Sequence, residues 1–343
     1  MIEKTPLQDD WMLYTVTNSN GMKLEVLNFG GIITSLEVPD KNGKLENIVL
    51  GYRNLEDYKA NPNYFGAIIG RVAGRIEDAQ FELNGKVYPL PANEGNHHLH
   101  GGPEGFHQVL WDVETFEHGR TNGLRLSYTS TDGEGGYPGK LNVVVTYTLT
   151  EDNKFAILYE ATTNQATPVA LTNHTYFNLS GGLKRSIAEQ QAMVASSHFT
   201  ELDEELISTG KLLDTAGTPF NLQSFRTLAD IFSAPHEQLR LAGEGIDHYF
   251  LFSNNEKPKA GLYDPASGRL MTMDSNQPGL VLYTSNGLDD TLELKERQSE
   301  KYLGICFETQ AFPAGLHHSG FPNIILQPKE TYRKETIFSF SVK

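Results

Sequence analysis

The stretch from Leu141 to Ala161 limits the possible folds more than any other part of the chain. Leu141, Val143, Val145, Tyr147 and Leu149 alternate with Asn142, Thr146 and Thr148, a period of two that suits a strand with one buried face. The turn Glu151-Asp152-Asn153-Lys154 follows, and Phe155, Ile157, Tyr159 and Ala161 resume the alternation, so the pair reads as an antiparallel hairpin. Similar short runs occur at residues 24–29, 32–38, 124–128, 169–177, 279–284, 304–308 and 337–342, separated by Gly, Asn, Asp and Pro. Helical periodicity is confined to residues 222–232, where Leu222, Phe225, Leu228, Ile231 and Phe232 share a face. Many strands and few helices predict an all-β fold, a large antiparallel β-sandwich rather than a parallel α/β sheet. No low-complexity or Pro/Ser-rich linker divides the chain, so residues 1–343 are expected to form a single domain.

Composition narrows the possible partners. With 38% hydrophobic residues a packed core is within reach. The 28 basic and 43 acidic residues give a net charge of −15, which opposes nucleic acid and anionic membranes and weakly opposes phosphorylated sugars. The single cysteine, Cys306, excludes an internal disulfide and a cysteine-based zinc site. Residues 1–11 carry Glu3, Asp9 and Asp10 without an apolar run, and no stretch approaches the roughly 18 apolar residues of a membrane helix. The expectation is a soluble cytoplasmic protein, either a monomer or a homodimer.

Five clusters place polar residues where a core would want apolar ones. In Gly70-Arg71-Val72-Ala73-Gly74-Arg75-Ile76, two planar cations could recognise hydroxyls or carboxylates, or simply be solvated on a loop. In Asn93-Glu94-Gly95-Asn96-His97-His98-Leu99-His100, an extended backbone would put His98 and His100 on one face, a possible zinc pair. No H-E-x-x-H or recognised carboxylate spacing supports the metal, and hydrogen-bonding histidines are the alternative. His174 lies between Leu171 and Phe177, as a satisfied core residue or as a ring over a ligand. Asp247 leads into an apolar run. Glu308 shares a strand face with Cys306, and an inward carboxylate calls for either catalysis or an ion pair with an arginine.

Taken together, these clusters resemble the aldose 1-epimerase family, in its galactose mutarotase branch. Residues 70–76, 93–102, 172–179, 245–250, 278–286 and 305–310 match in the family's order, as do Gly136-Tyr137-Pro138-Gly139 and Asn28-Phe29-Gly30-Gly31. The resemblance implies a sandwich with a sugar in an open cleft and no metal or organic cofactor. It also implies Glu308 as general base, His174 as general acid and His100 as the residue polarising the ring oxygen. Arg75 and Asp247 would hold hydroxyls. Two positions depart from the family pattern: Gly74 stands where Asn is frequent, and Val281 where some members have Gln. The first removes one hydroxyl contact, and Tyr283 is the candidate ring for the apolar face of the sugar.

Opening a hemiacetal needs one group to take the C1 hydroxyl proton and another to protonate the ring oxygen. A glutamate of ordinary pKa, about 4.3, and a histidine near 6.5 form such a pair at neutral pH. Three other readings remain open at this stage: a hexose 6-phosphate epimerase, a glycoside hydrolase using Glu308 with Asp247, and a non-catalytic sugar-binding module.

Overall fold

A computed structural model describes residues 1–253, 257–318 and 320–343. It is built from antiparallel sheets, and the described residues include only two short α-helices, Leu228–Phe232 and Glu237–Leu241. The largest sheet has nine strands. The hairpin read from the sequence, Leu141–Thr150 paired with Lys154–Thr163, lies beside its central strand, Tyr332–Val342, which pairs with Lys154–Thr163. Inward residues Val143, Val145, Tyr147, Phe155, Ile157 and Tyr159 are buried, and their in-between neighbours are less so, as period-two patterning requires.

The second layer is a six-stranded sheet. Its strands run in the order Tyr176–Phe177, Ile305–Gln310, Gly279–Tyr283, Asp247–Leu251, His198–Leu202 and Ser208–Asp214. Phe177, Phe307, Leu282, Leu280 and Phe250 join the residues of the nine-stranded sheet in one continuous core. A buried hydroxyl pair, Thr309 Oγ1 to Thr336 Oγ1 at 2.5 Å, also links the layers. A five-stranded sheet, from Ile2–Pro6 to Leu45–Asn47, adds Val16, Leu24, Val26, Leu36 and Val38 to the same core.

Two stretches differ from the sequence expectation. The helix expected over 222–232 forms only at Leu228–Phe232, because Arg226–Thr227 is extended and pairs with Gln191–Ala192 at the end of the nine-stranded sheet. The run at 169–177 is broken into two-residue strands: Thr172–Asn173 pairs with Ile68–Ile69, whereas Tyr176–Phe177 pairs with the Glu308 strand. Backbone partners on two sides win over local alternation here. Among the described residues, no helix is long and apolar enough to cross a membrane.

Candidate active site

Register alone collects most of the site. Tyr176 lies opposite Cys306, Cys306 opposite Tyr283, and Tyr283 opposite Asp247; one step along, Glu308, Val281 and Tyr249 form a parallel row. Directly paired residues share a face, so these seven side chains point the same way, opposite to Phe307, Leu282 and Phe250. All of them but Cys306 line the floor of a cleft of about 460 Å³, which is walled by Tyr64, Arg75, Glu94, His100 and His174.

His174 sits in the break between the two short strands. Its N–H donates to the Ala67 carbonyl at 2.9 Å, and its carbonyl accepts from Gly66 N–H at 3.0 Å. Asn173 fastens the same loop, donating to the Gly66 carbonyl at 2.9 Å and to Tyr147 Oη at 3.1 Å. Gly66 has φ of +66°, and a Cβ there would lie 2.1 Å from the Ile33 carbonyl oxygen, so only glycine fits the junction. The His174 ring points into the cleft with Nε2 3.5 Å from Glu308 Oε1, while Nδ1 lies 3.5 Å from Cys306 Sγ. Tyr64 and Tyr176 stack on the ring at 5.9 and 5.0 Å.

His100 enters from the short strand His98–Leu99, which pairs with Arg75–Ile76. Gly74 N–H donates to His100 Nδ1 at 3.1 Å, and the His100 N–H returns a bond to the Gly74 carbonyl. This bond leaves the proton of the neutral imidazole on Nε2, which makes that atom a donor. The expected shared face of His98 and His100 is not found. His100 has φ of +54°, which ends the extended run, and His98 turns away to Pro91 O and Tyr137 Oη. Both His98 ring nitrogens are thus engaged in the scaffold.

A different trio does meet: His100, His174 and Glu308 each place one potential ligand atom within 4.8 Å of the others. A metal would need a lone pair on His100 Nε2, and the Gly74 bond puts a proton there instead. The donor set therefore fits a hydrogen-bonding role better than ligation.

The two arginines of the first cluster separate. Arg71 is 2% exposed and is saturated by Ser130, Thr167 and the carbonyls of Pro138 and Thr131, so it is neither solvated nor in the cleft. Arg75 lines the cleft, donating from Nε and Nη2 to Glu94 at 2.5 and 3.0 Å and from Nη1 to Asp247 at 3.5 Å. Gly74 has φ of +85°, a left-handed position that Gly and Asn enter most easily. Tyr283 lies on the floor, its hydroxyl accepting from Gly287 N–H at 3.1 Å.

Burial reverses the ordinary titration order. Glu308 is 2% exposed; desolvation and the neighbouring Asp247 charge push its pKa well above the usual carboxylate range, with Arg75 opposing. Desolvation lowers His174 to about 3 and takes His100 well below its normal value. Asp247 is raised by burial, with Arg75 pulling it down and Glu94 pushing it up. For Arg75, burial works against the charge, but Asp247 and Glu94 outweigh it. The expectation of a glutamate and a histidine with unperturbed values is therefore corrected: burial raises Glu308 and lowers His174, which favours the neutral form of each.

Sequence reasoning missed Glu94 and Tyr64 as cleft residues. Glu94 stood inside a recognised cluster but carried no signal beyond its charge. Tyr64, with φ of +55°, contacts the rings of His100, His107 and His174 at 4.8, 4.8 and 5.9 Å.

A family model described as aldose 1-epimerase matches residues 12–339. A galactose mutarotase of Rattus norvegicus is 39% identical over 327 residues, covering 94% of this chain and 92% of the relative. A galactose mutarotase of Homo sapiens is 38% identical over 344 residues, covering 99% and 94%. Among solved structures, a galactose 1-epimerase from Lactobacillus acidophilus NCFM superposes with a TM-score of 0.89 at 28% identity, covering 100% of this chain and 98% of that one.

Proposed function

The chain belongs to the aldose 1-epimerase family, and on that footing we propose that it interconverts the α and β anomers of free hexoses such as galactose and glucose, with Glu308 and His174 moving the protons. The observation carrying this reading is the 3.5 Å approach of Glu308 Oε1 to His174 Nε2 on the floor of the cleft. The two groups are close enough for one hemiacetal, O1 on one side and the ring oxygen on the other, to engage both at once.

In this reading Glu308 takes the proton of the C1 hydroxyl while His174 delivers one to the ring oxygen, and the C1–O5 bond opens to the free aldehyde. Rotation about C1–C2 presents the other carbonyl face, and closure runs the two transfers backwards. The reactive pair, carboxylate with imidazolium, holds the same single proton as the neutral pair that burial favours. Moving that proton from Glu308 to His174, with the C1 hydroxyl donating to the carboxylate and the ring oxygen accepting from the imidazolium, creates the reactive form without exchange with solvent. The Nε2–H of His100 supplies a hydrogen bond to the developing charge on the ring oxygen. Arg75 and Asp247 orient hydroxyls at one end of the cleft, and Tyr283 offers a ring to the apolar face. Residues 1–343 act in this reading as one catalytic domain, since the site draws on residues from Tyr64 to Glu308.

Polarimetry of freshly dissolved α-D-galactose and α-D-glucose tests the reading, with wild type beside Glu308→Gln. Acceleration by wild type that is lost in the variant supports it; equal rates overturn the assignment of Glu308. A pH–rate profile adds a second check. A pair sharing one proton gives a bell whose acid limb lies toward the low His174 value and whose alkaline limb lies above the ordinary carboxylate range.

A further inference from the structure

The charges around the cleft are unequal. Apart from Glu308, which burial biases toward its neutral form, its described lining residues include three carboxyl side chains, Glu77, Glu94 and Asp247, against one arginine and no lysine. That arginine is already engaged on two sides. Glu94 takes Nε and Nη2 of Arg75 in a two-pronged contact, and Asp247 lies against Nη1. Fork-shaped pairing of this kind fixes the plane of the guanidinium as well as its charge.

Glu94 is delivered by a loop closed by its own hydrogen bonds. Its carbonyl accepts from His97 N–H at 2.9 Å, closing a tight turn. The Asn93 side chain bridges to Leu99, accepting from its N–H at 2.8 Å and donating to its carbonyl at 3.0 Å. The same segment leads directly into His100. Glu94 is also the most open member of the charged row, with its side chain 38% exposed against 19% for Arg75 and 17% for Asp247. It therefore stands at the rim, where an incoming sugar meets it early.

A sugar hydroxyl both donates and accepts, so it can lie along a carboxylate–guanidinium–carboxylate row without displacing any member. An anionic substituent cannot. To reach the guanidinium it would have to expel a carboxylate and leave that charge without its partner, in a cleft that already carries excess negative charge. Resting on the aldose 1-epimerase reading of the site, we propose that Glu94 is a specificity-determining residue. It positions Arg75 for hydroxyl contacts and, by occupying the cation, excludes aldoses that carry a carboxylate or phosphate.

The test compares anomer exchange of galactose, galacturonate and galactose 6-phosphate, followed by polarimetry and by NMR, for wild type, Glu94→Gln and Glu94→Asp. Wild type is expected to favour galactose over both anionic sugars by about 100-fold or more in kcat/KM. Glu94→Gln keeps the shape and removes the charge. It should narrow that gap at least about tenfold and raise KM for galactose by a larger factor than it lowers kcat. Glu94→Asp keeps the charge and should retain most of the gap. A gap unchanged in a Glu94→Gln protein of wild-type Tm overturns the proposal, as does wild type that converts galacturonate as fast as galactose. A merely structural Glu94 would change Tm and leave the neutral-to-anionic ratio alone. If wild type converts none of these sugars, the epimerase reading itself fails. The ratio of Kd values for galactose and galacturonate, read from NMR titrations of wild type and Glu94→Gln, then decides the charge-exclusion role separately: a ratio that shifts toward the anion sustains it, and an unchanged ratio sinks it.

Discussion

The two faces of the Ile305–Gln310 strand are equally buried and chemically opposite. Ile305, Phe307 and Thr309 alternate with Cys306, Glu308 and Gln310, and all six are buried. The first face meets apolar side chains of the opposing sheet and the Thr336 hydroxyl. The second meets His174 at two points, through Cys306 and Glu308. Burial stabilises the first face through packing and destabilises the charged forms on the second. One six-residue segment thus supplies both cohesion and reactivity, and the two should respond to substitution in separate ways.

The largest separation is expected for Glu308→Gln. Turnover should fall by about 10²–10⁴-fold while the fold survives, because acid–base groups contribute about that much and the amide preserves the packing. Polarimetry beside thermal unfolding checks both halves. One position away, Phe307→Ala should show the reverse, a loss of roughly 3–5 kcal/mol in stability from the cavity left behind. Its activity per folded molecule should stay close to wild type below the lowered Tm, and urea titration with activity assays would show whether it does.

The pH dependence of stability sharpens the same contrast. Glu308 binds its proton more tightly in the folded chain than in the unfolded one, so its contribution is fully present below about pH 4.3 and is lost as pH rises through its raised value. His174 acts in the opposite sense. Its contribution is present above about pH 6.5 and is lost as pH falls toward its depressed value of about 3. Glu308→Gln should therefore melt higher than wild type at pH 7, by roughly 2 °C or more, and the difference should close near pH 4. Calorimetry at the two pH values would sink this if the difference held constant. The smallest effect belongs to Val281→Gln, between Glu308 and Tyr249 on the cleft floor. It should shift KM by a few-fold and alter the galactose-to-glucose preference, with Tm nearly unchanged, as expected for a half-buried position that packs only at the edge of a small cluster.

Much of this contrast was legible in the sequence. The all-β architecture followed from alternation at 141–161, and Glu308 and His174 stood out as polar residues inside apolar strands. What escaped had physical causes. The periodicity at 222–232 satisfied a helical template, but the strand partner of Arg226–Thr227 is contributed by residues 191–192, and a local pattern cannot register it. The supposed common face of His98 and His100 assumed extended backbone through a residue that turns left-handed. Glu94 and Tyr64 belong to loops, where neither period constrains direction. The reversed titration of Glu308 and His174 depends on how completely the surrounding loops exclude water, which residue type alone does not encode.

The row Tyr176, Cys306, Tyr283 and Asp247 brings together strands far apart along the chain, and His174 is pinned by a segment more than a hundred residues earlier. No fragment that has folded only one sheet possesses a site. During refolding, activity should therefore appear last, after the core has closed and secondary structure is in place. The rotation of polarised light by a simple sugar then becomes a clock for the final step of assembly.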